Sequence, residues 1–185
     1  MKWMIASDVH GSGTWCRKMF ERLEAEKADR LLLLGDLLYH GPRNDLPDGY
    51  APKAVIAMLN EHRDIILTVR GNCEAEVDQM VLSFPVLAEY AVMPLDDRII
   101  YVTHGHHASE QNPPALRKGD ILLNGHTHVP KCTEHETFIY MNPGSVSMPK
   151  EGSPRSYMIF EGHHFEWKCL ENGETYIDYW LPEQK

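Results

Sequence analysis

Residues 31–34 are four leucines in succession. A surface helix interrupts such a run every third or fourth position and a one-sided sheet every second, so the segment suits a strand buried on both faces. Periodicity alone leaves a buried helical segment open; the shortness of the run favours a strand. Five more stretches of similar length read the same way, at 3–6, 65–69, 99–102, 121–123 and 138–141. Between the first two, Trp15, Met19 and Leu23 recur at four-residue steps beside Cys16 and Phe20, which predicts an amphipathic helix over 14–27 with Ser12 or Thr14 as its cap. A second helix is predicted over 52–62, with Val55, Met58 and Leu59 on one face and Pro52 in the first turn, and a short third over 74–83, stopped by Pro85.

Alternating strand and helix implies parallel pairing in an α/β layer. The C-terminal part reads differently. Runs at 157–160, 165–170 and 175–180 are separated by Glu161-Gly162 and Asn172-Gly173, and Asn-Gly between such runs is a strong hairpin signal, so these strands should be antiparallel. The expected fold class is α/β, with two packed mixed β-sheets forming a sandwich flanked by helices, in a single domain over 1–185.

Charge and cysteine usage exclude several functions. Against 27 acidic residues stand 18 lysines and arginines, a formal charge of −9, so the basic footprint of a stable nucleic-acid complex is missing. The four cysteines form no C-x-x-C pair and read as free thiols. No apolar run reaches the roughly 18 residues of a membrane span, and a cytoplasmic location without membrane contact is expected. A homo-oligomer is left open.

Polar residues follow the buried runs in a consistent way. Asp8 and His10 come after the first, Gly35-Asp36 after the second, Gly71-Asn72 after the third, His104 after the fourth and Gly125-His126-Thr127-His128 after the fifth. In open α/β sheets ligands bind beyond the carboxyl ends of strands, so these loops should converge on one crevice. Carboxylate, imidazole and amide oxygen all coordinate divalent metals. Seven such groups exceed what one ion with an open position uses, and two ions fit.

The series Asp8-x-His10, Gly35-Asp36, Gly71-Asn72-Cys73-Glu74, His104 and Gly125-His126-x-His128 resembles the calcineurin-like metallophosphoesterase superfamily, specifically its small bacterial and archaeal phosphodiesterases, over roughly residues 4–150. Asn142-Pro143-Gly144-Ser145 also matches that subgroup, though it would serve equally as a plain turn. The resemblance implies a metallophosphoesterase-like fold with one metal on Asp8, His10, Asp36 and His128 and another on Asp36, Asn72, His104 and His126. Asp36 would bridge. Catalysis would rest on Asp36, Asn72 and His104, with Cys73 beside them. The implied cofactors are two divalent ions, with Mn preferred and Fe, Zn, Co or Ni compatible with the ligand types. The implied activity is hydrolysis of small phosphodiesters by two-metal, hydroxide-mediated in-line attack. Alternatives are a phosphomonoesterase, a dinucleoside polyphosphate hydrolase or, in another class, a non-catalytic scaffold like the retromer subunit of this superfamily.

In much of the superfamily a histidine stands where this chain has Cys73. A thiol donates hydrogen bonds weakly, which points to activated diesters rather than monoesters. The long connection over 38–51 begins just beyond Asp36 and suits a binding loop, with His40 and Arg43 in reach of a substrate phosphate. Arg70 could face phosphate or serve as an ion-pair partner. His106 and His107 match no motif position.

Overall fold

The computed structural model describes residues 1–182; the last three residues of the expected domain lie outside them. Two mixed sheets face each other. The first has six strands in the order β11-β10-β9-β1-β2-β3 and the second five, β4-β5-β6-β8-β7. In the first, β1 (Lys2–Ala6), β2 (Arg30–Leu33) and β3 (Ile66–Thr68) are parallel, while β9 (Ser156–Glu161), β10 (His164–Cys169) and β11 (Thr175–Trp180) extend the other side in antiparallel fashion. In the second, β5 (Arg98–Val102), β6 (Ile121–Leu123) and β8 (Ile139–Pro143) are parallel, with β4 (Ala91–Leu95) and β7 (Pro130–Glu134) antiparallel at the edges.

Strand alternation explains the leucine run. Leu31 and Leu33, with Met4 and Ala6, face α1 (Gly13–Glu26) and α2 (Pro52–Glu61), where Cys16, Met19, Leu23, Val55 and Leu59 meet them. Leu32, Leu34 and Ile5 point the other way, into the layer between the sheets, against Val102, Leu123, Met141 and Trp167. Both faces are dry, so no polar position interrupts the segment.

Ser12 caps α1, its side chain accepting from the Trp15 N–H, and Pro52 opens α2. The third helix, α3 (Glu76–Val81), is shorter than its pattern predicts at both ends. Sequence reasoning missed β4 and β7. Pro94 lies inside β4 and Pro130 begins β7, and proline is tolerated in both because each is an edge strand. Among the described residues no helix is long and apolar enough to cross a membrane.

Candidate metal centre

The loops following β1, β2, β3, β5 and β6 meet at one end of the sandwich. Their backbones approach closely: a Cβ on Gly35, where φ is +93°, would lie 2.4 Å from the Gly71 nitrogen, and one on Gly71 would lie 2.2 Å from Asp36 Oδ1. Asp8, His10, Asp36, His126 and His128 all adopt left-handed backbone, with φ between 48° and 66°. Non-glycine residues rarely do so, and this strain is concentrated where ligand-type side chains must turn inward.

Asp8, His10 and His128 form one group, with Asp8 Oδ1 at 3.2 Å from His128 Nε2 and 3.5 Å from His10 Nε2. Asp36 Oδ2 lies 3.6 Å from His10 Nε2 and 3.4 Å from His104 Nε2, between that group and the next. His104 Nε2 is also 3.1 Å from Asn72 Oδ1 and 3.2 Å from His126 Nδ1. All seven residues are thus brought together.

Their orientations are set from behind. Nδ1 of His10, His104 and His128 donates to the carbonyls of Tyr39, Leu34 and Met148 at 2.7, 2.6 and 2.6 Å, so that in the neutral ring each Nε2 is a lone pair facing the centre and in the charged ring an N–H. The Asp8 carbonyl accepts from the hydroxyls of Ser145 and Ser147, and Asn142 Nδ2 donates to the Gly125 carbonyl. The Asn-Pro-Gly-Ser stretch therefore braces two of the ligand-bearing loops. Glu74 does the same for two others: its buried carboxylate accepts from the N–H groups of Asp36, Leu37 and Gly71 at 2.8, 2.7 and 2.5 Å. Burial and the nearby Asp36 raise its pKa to about 6.

The donor set fits divalent cations. Asp8 Oδ1 is buried and accepts no hydrogen bond. His10 Nε2 and His128 Nε2 lie 3.4 Å apart, so their facing lone pairs require a proton or a cation between them. The charges respond accordingly. Burial works against the Asp8 carboxylate, yet the facing rings of His128 and His10 hold it well below the usual range. Burial likewise opposes a charged His104, but the bond to Asp36 and the charges of Asp8 and Asp36 lift it to about 9. The protein is built to accept positive charge here.

A cleft of about 280 Å³ opens onto the centre, lined by His10, Asp36, Asn72, His126 and His128 on its floor and by Gly41–Asn44, Cys73 and Lys150 at its walls. The Cys73 N–H donates to Asp36 Oδ1 at 2.9 Å, and burial together with the facing Asp36 pushes its thiol pKa upward, so it stays protonated. Arg43 lines the cleft. His40 does not: its ring packs edge-on between Tyr39 and Tyr50. Arg70 pairs with Glu89 at 3.1 Å, also outside the lining. Glu89, His106 and His107 bring ligand atoms within 4.8 Å of one another beside the centre. Sequence reasoning assigned no role to Glu74, Ser145, Ser147 or Lys150. A glutamate three residues beyond Gly71 was visible in the motif, whereas nothing about Lys150 distinguishes it from other lysines.

Comparison with known proteins agrees with this geometry. The model of the calcineurin-like phosphoesterase superfamily domain matches residues 1–164. Phosphodiesterase YfcE of Escherichia coli K12 is 46% identical over 161 residues, 87% of this chain and 88% of that protein. A solved structure of Yfce, described as a phosphoesterase from E. coli, superposes with a TM-score of 0.94 at 41% identity, covering 98% of this chain and 100% of the other. Vacuolar Protein Sorting 29 from Cryptosporidium parvum shares the fold, with a TM-score of 0.61 at 20% identity over 97% of each chain.

Proposed function

The chain belongs to the calcineurin-like phosphoesterase superfamily and is a phosphoric ester hydrolase, and on that premise we propose that it is a phosphodiesterase acting on small, activated diesters with two divalent ions, manganese by family resemblance. The observation that carries this reading is the convergence of seven ligand-type side chains around Asp36, whose Oδ2 is within 3.6 Å of ring nitrogens from both groups. Asp8, His10, Asp36 and His128 would hold one ion, and Asp36, Asn72, His104 and His126 the other. When bound, the ions would supply Lewis acidity, activation of the attacking water for in-line displacement and charge to offset the transition state.

The protein's own groups then have distinct tasks. The main-chain carbonyls behind His10, His104 and His128 keep the donor nitrogens aimed inward, so little reorganisation accompanies the reaction. Asn72 would contribute a neutral oxygen, leaving Asp8 and Asp36 as the carboxylate ligands, so that two bound divalent ions would keep the site at +2, or +1 with a bridging hydroxide. Arg43, at the cleft wall, adds positive charge above the floor on which the ester would lie. Cys73 is a protonated but weak donor, so a leaving alcohol gains little from it; a diester with a good leaving group needs that proton less than a poorly activated monoester.

The test is kcat/KM on an aryl diester and its monoester with the same leaving group, with manganese and after chelation. The diester should be preferred, chelation should abolish turnover, and elemental analysis should find about two ions per chain. Cys73→His should move the ratio toward the monoester while Cys73→Ala retains diesterase activity. A wild-type preference for the monoester overturns the substrate class, and a single ion in the active enzyme overturns the two-metal reading.

A further inference from the structure

The positive side chains at the cleft walls exceed what a simple diester requires. Arg43 and Lys150 both line the cleft from different loops, and neither has an ion-pair partner among the described residues. Asp36 is the sole carboxylate in that lining, and it faces the histidines of the floor. In a chain of net charge −9, two unpaired cations over one cleft make a local positive field that attracts anions.

Both cations rise from anchored backbone. Asn44 closes a turn on its own loop, its side chain donating to the His40 carbonyl at 2.8 Å and its N–H to the Gly41 carbonyl at 3.3 Å. Gly41 sits against Cys73, a Cβ there falling 3.7 Å from its sulfur, so Arg43 is carried over the Asn72 and Cys73 side. The Lys150 N–H donates to the His128 carbonyl at 3.2 Å and its carbonyl accepts from Ser153 N–H and Oγ, which fixes it beside His128 on the other side. The two long side chains can therefore flank a ligand from both walls while the phosphoryl group under attack lies on the floor between them.

Resting on the phosphodiesterase reading above, we propose that Arg43 and Lys150 form a second anion subsite, and that the preferred substrates are phosphodiesters carrying a further phosphate or carboxylate on one esterified group. A bare diester has one negative charge, which a net-positive floor already meets. A second anionic group set away from the scissile phosphorus meets Arg43 and Lys150, with arginine giving a two-point contact and lysine a point charge.

The test compares three aryl diesters with a common leaving group, whose second ester group is neutral, carboxylated or phosphorylated. The wild-type enzyme should favour the two charged forms by at least about tenfold in kcat/KM, an advantage that shrinks as salt rises. Lys150→Gln and Arg43→Gln should each lose several-fold more on the charged forms than on the neutral one. Calorimetric binding of uncleavable phosphonate analogues of the same compounds should show the same selective loss. An equal loss on all three means that these cations contact the scissile phosphate, and no loss means that they are solvated surface groups; either result overturns the subsite. If none of the three is hydrolysed, the phosphodiesterase reading itself fails.

Discussion

The half of the centre built by Asp8, His10 and His128 differs from the half built by His104, Asn72 and His126 in how far water reaches it. The first three side chains are all buried, whereas in the second half only His104 is, Asn72 being exposed and His126 and the neighbouring Cys73 partly so. The closed half is braced by distant loops, through the Tyr39 and Met148 carbonyls and the hydroxyls of Ser145 and Ser147. Both halves reach the cleft floor, the first through the buried His10 and His128 and the second through the more exposed Asn72 and His126. On the two-ion proposal, the more deeply buried ligands of the first half would retain their ion more firmly than those of the second.

Asp36 tests the division most severely because it belongs to both halves. Asp36→Asn should lower metal content at both positions and cut kcat by more than about a hundredfold, beyond what losing an outer-shell partner costs; full activity would remove the bridging role. The halves are separated by Asp8→Asn and Asn72→Ala. After dialysis, elemental analysis should show a greater loss of retained metal in the first variant, while the second keeps more metal but turns over about ten- to a hundredfold more slowly. Equal metal loss would erase the distinction.

Glu74 supports the shared edge without facing the cleft. Glu74→Gln turns an amide N–H₂ toward one of three buried main-chain donors, which should cost about 1–3 kcal/mol in denaturant unfolding and lower activity about tenfold. Unchanged stability would mean that the loops hold themselves.

The smallest effect lies away from both halves. Glu26, at the end of α1, accepts from Tyr157 at 2.9 Å and pairs with Lys168 at 2.7 Å. Burial opposes its charge, but these partners hold its pKa below the usual 4.5. A folded pKa below the unfolded one gives stability that is present above the unfolded value and lost as pH falls through the folded one. Glu26→Gln should therefore show a shallower fall in Tm than the wild type between neutral pH and about pH 3.5, with unchanged kcat at neutral pH. A parallel fall in both proteins would discount the pair.

Much of this was legible in the sequence because strand ends and strand burial are local signals. The leucine run, the Trp15 to Leu23 stripe and the polar residues after each apolar run carried the parallel layer and all seven converging ligand-type residues. The edge strands β4 and β7 escaped because one side of each is unpaired, which permits Pro94 and Pro130 and weakens the apolar pattern. Arg70 looked equal to Arg43 in sequence, yet Glu89 pairs with one and the cleft opens beside the other.

The kinds of ligand atom and the strand ends that bear them were determined by the sequence, since burial on two faces and chemical type are properties of short segments. Which atoms face one another was decided by tertiary structure alone. The left-handed turns at five non-glycine ligand-type residues, the carbonyls that set the histidine tautomers, the three N–H groups on Glu74 and the placement of Lys150 all join residues far apart in the chain. Such contacts arise only when the two sheets pack, because hydrogen-bond direction and backbone strain are set by neighbours in space that no local pattern names.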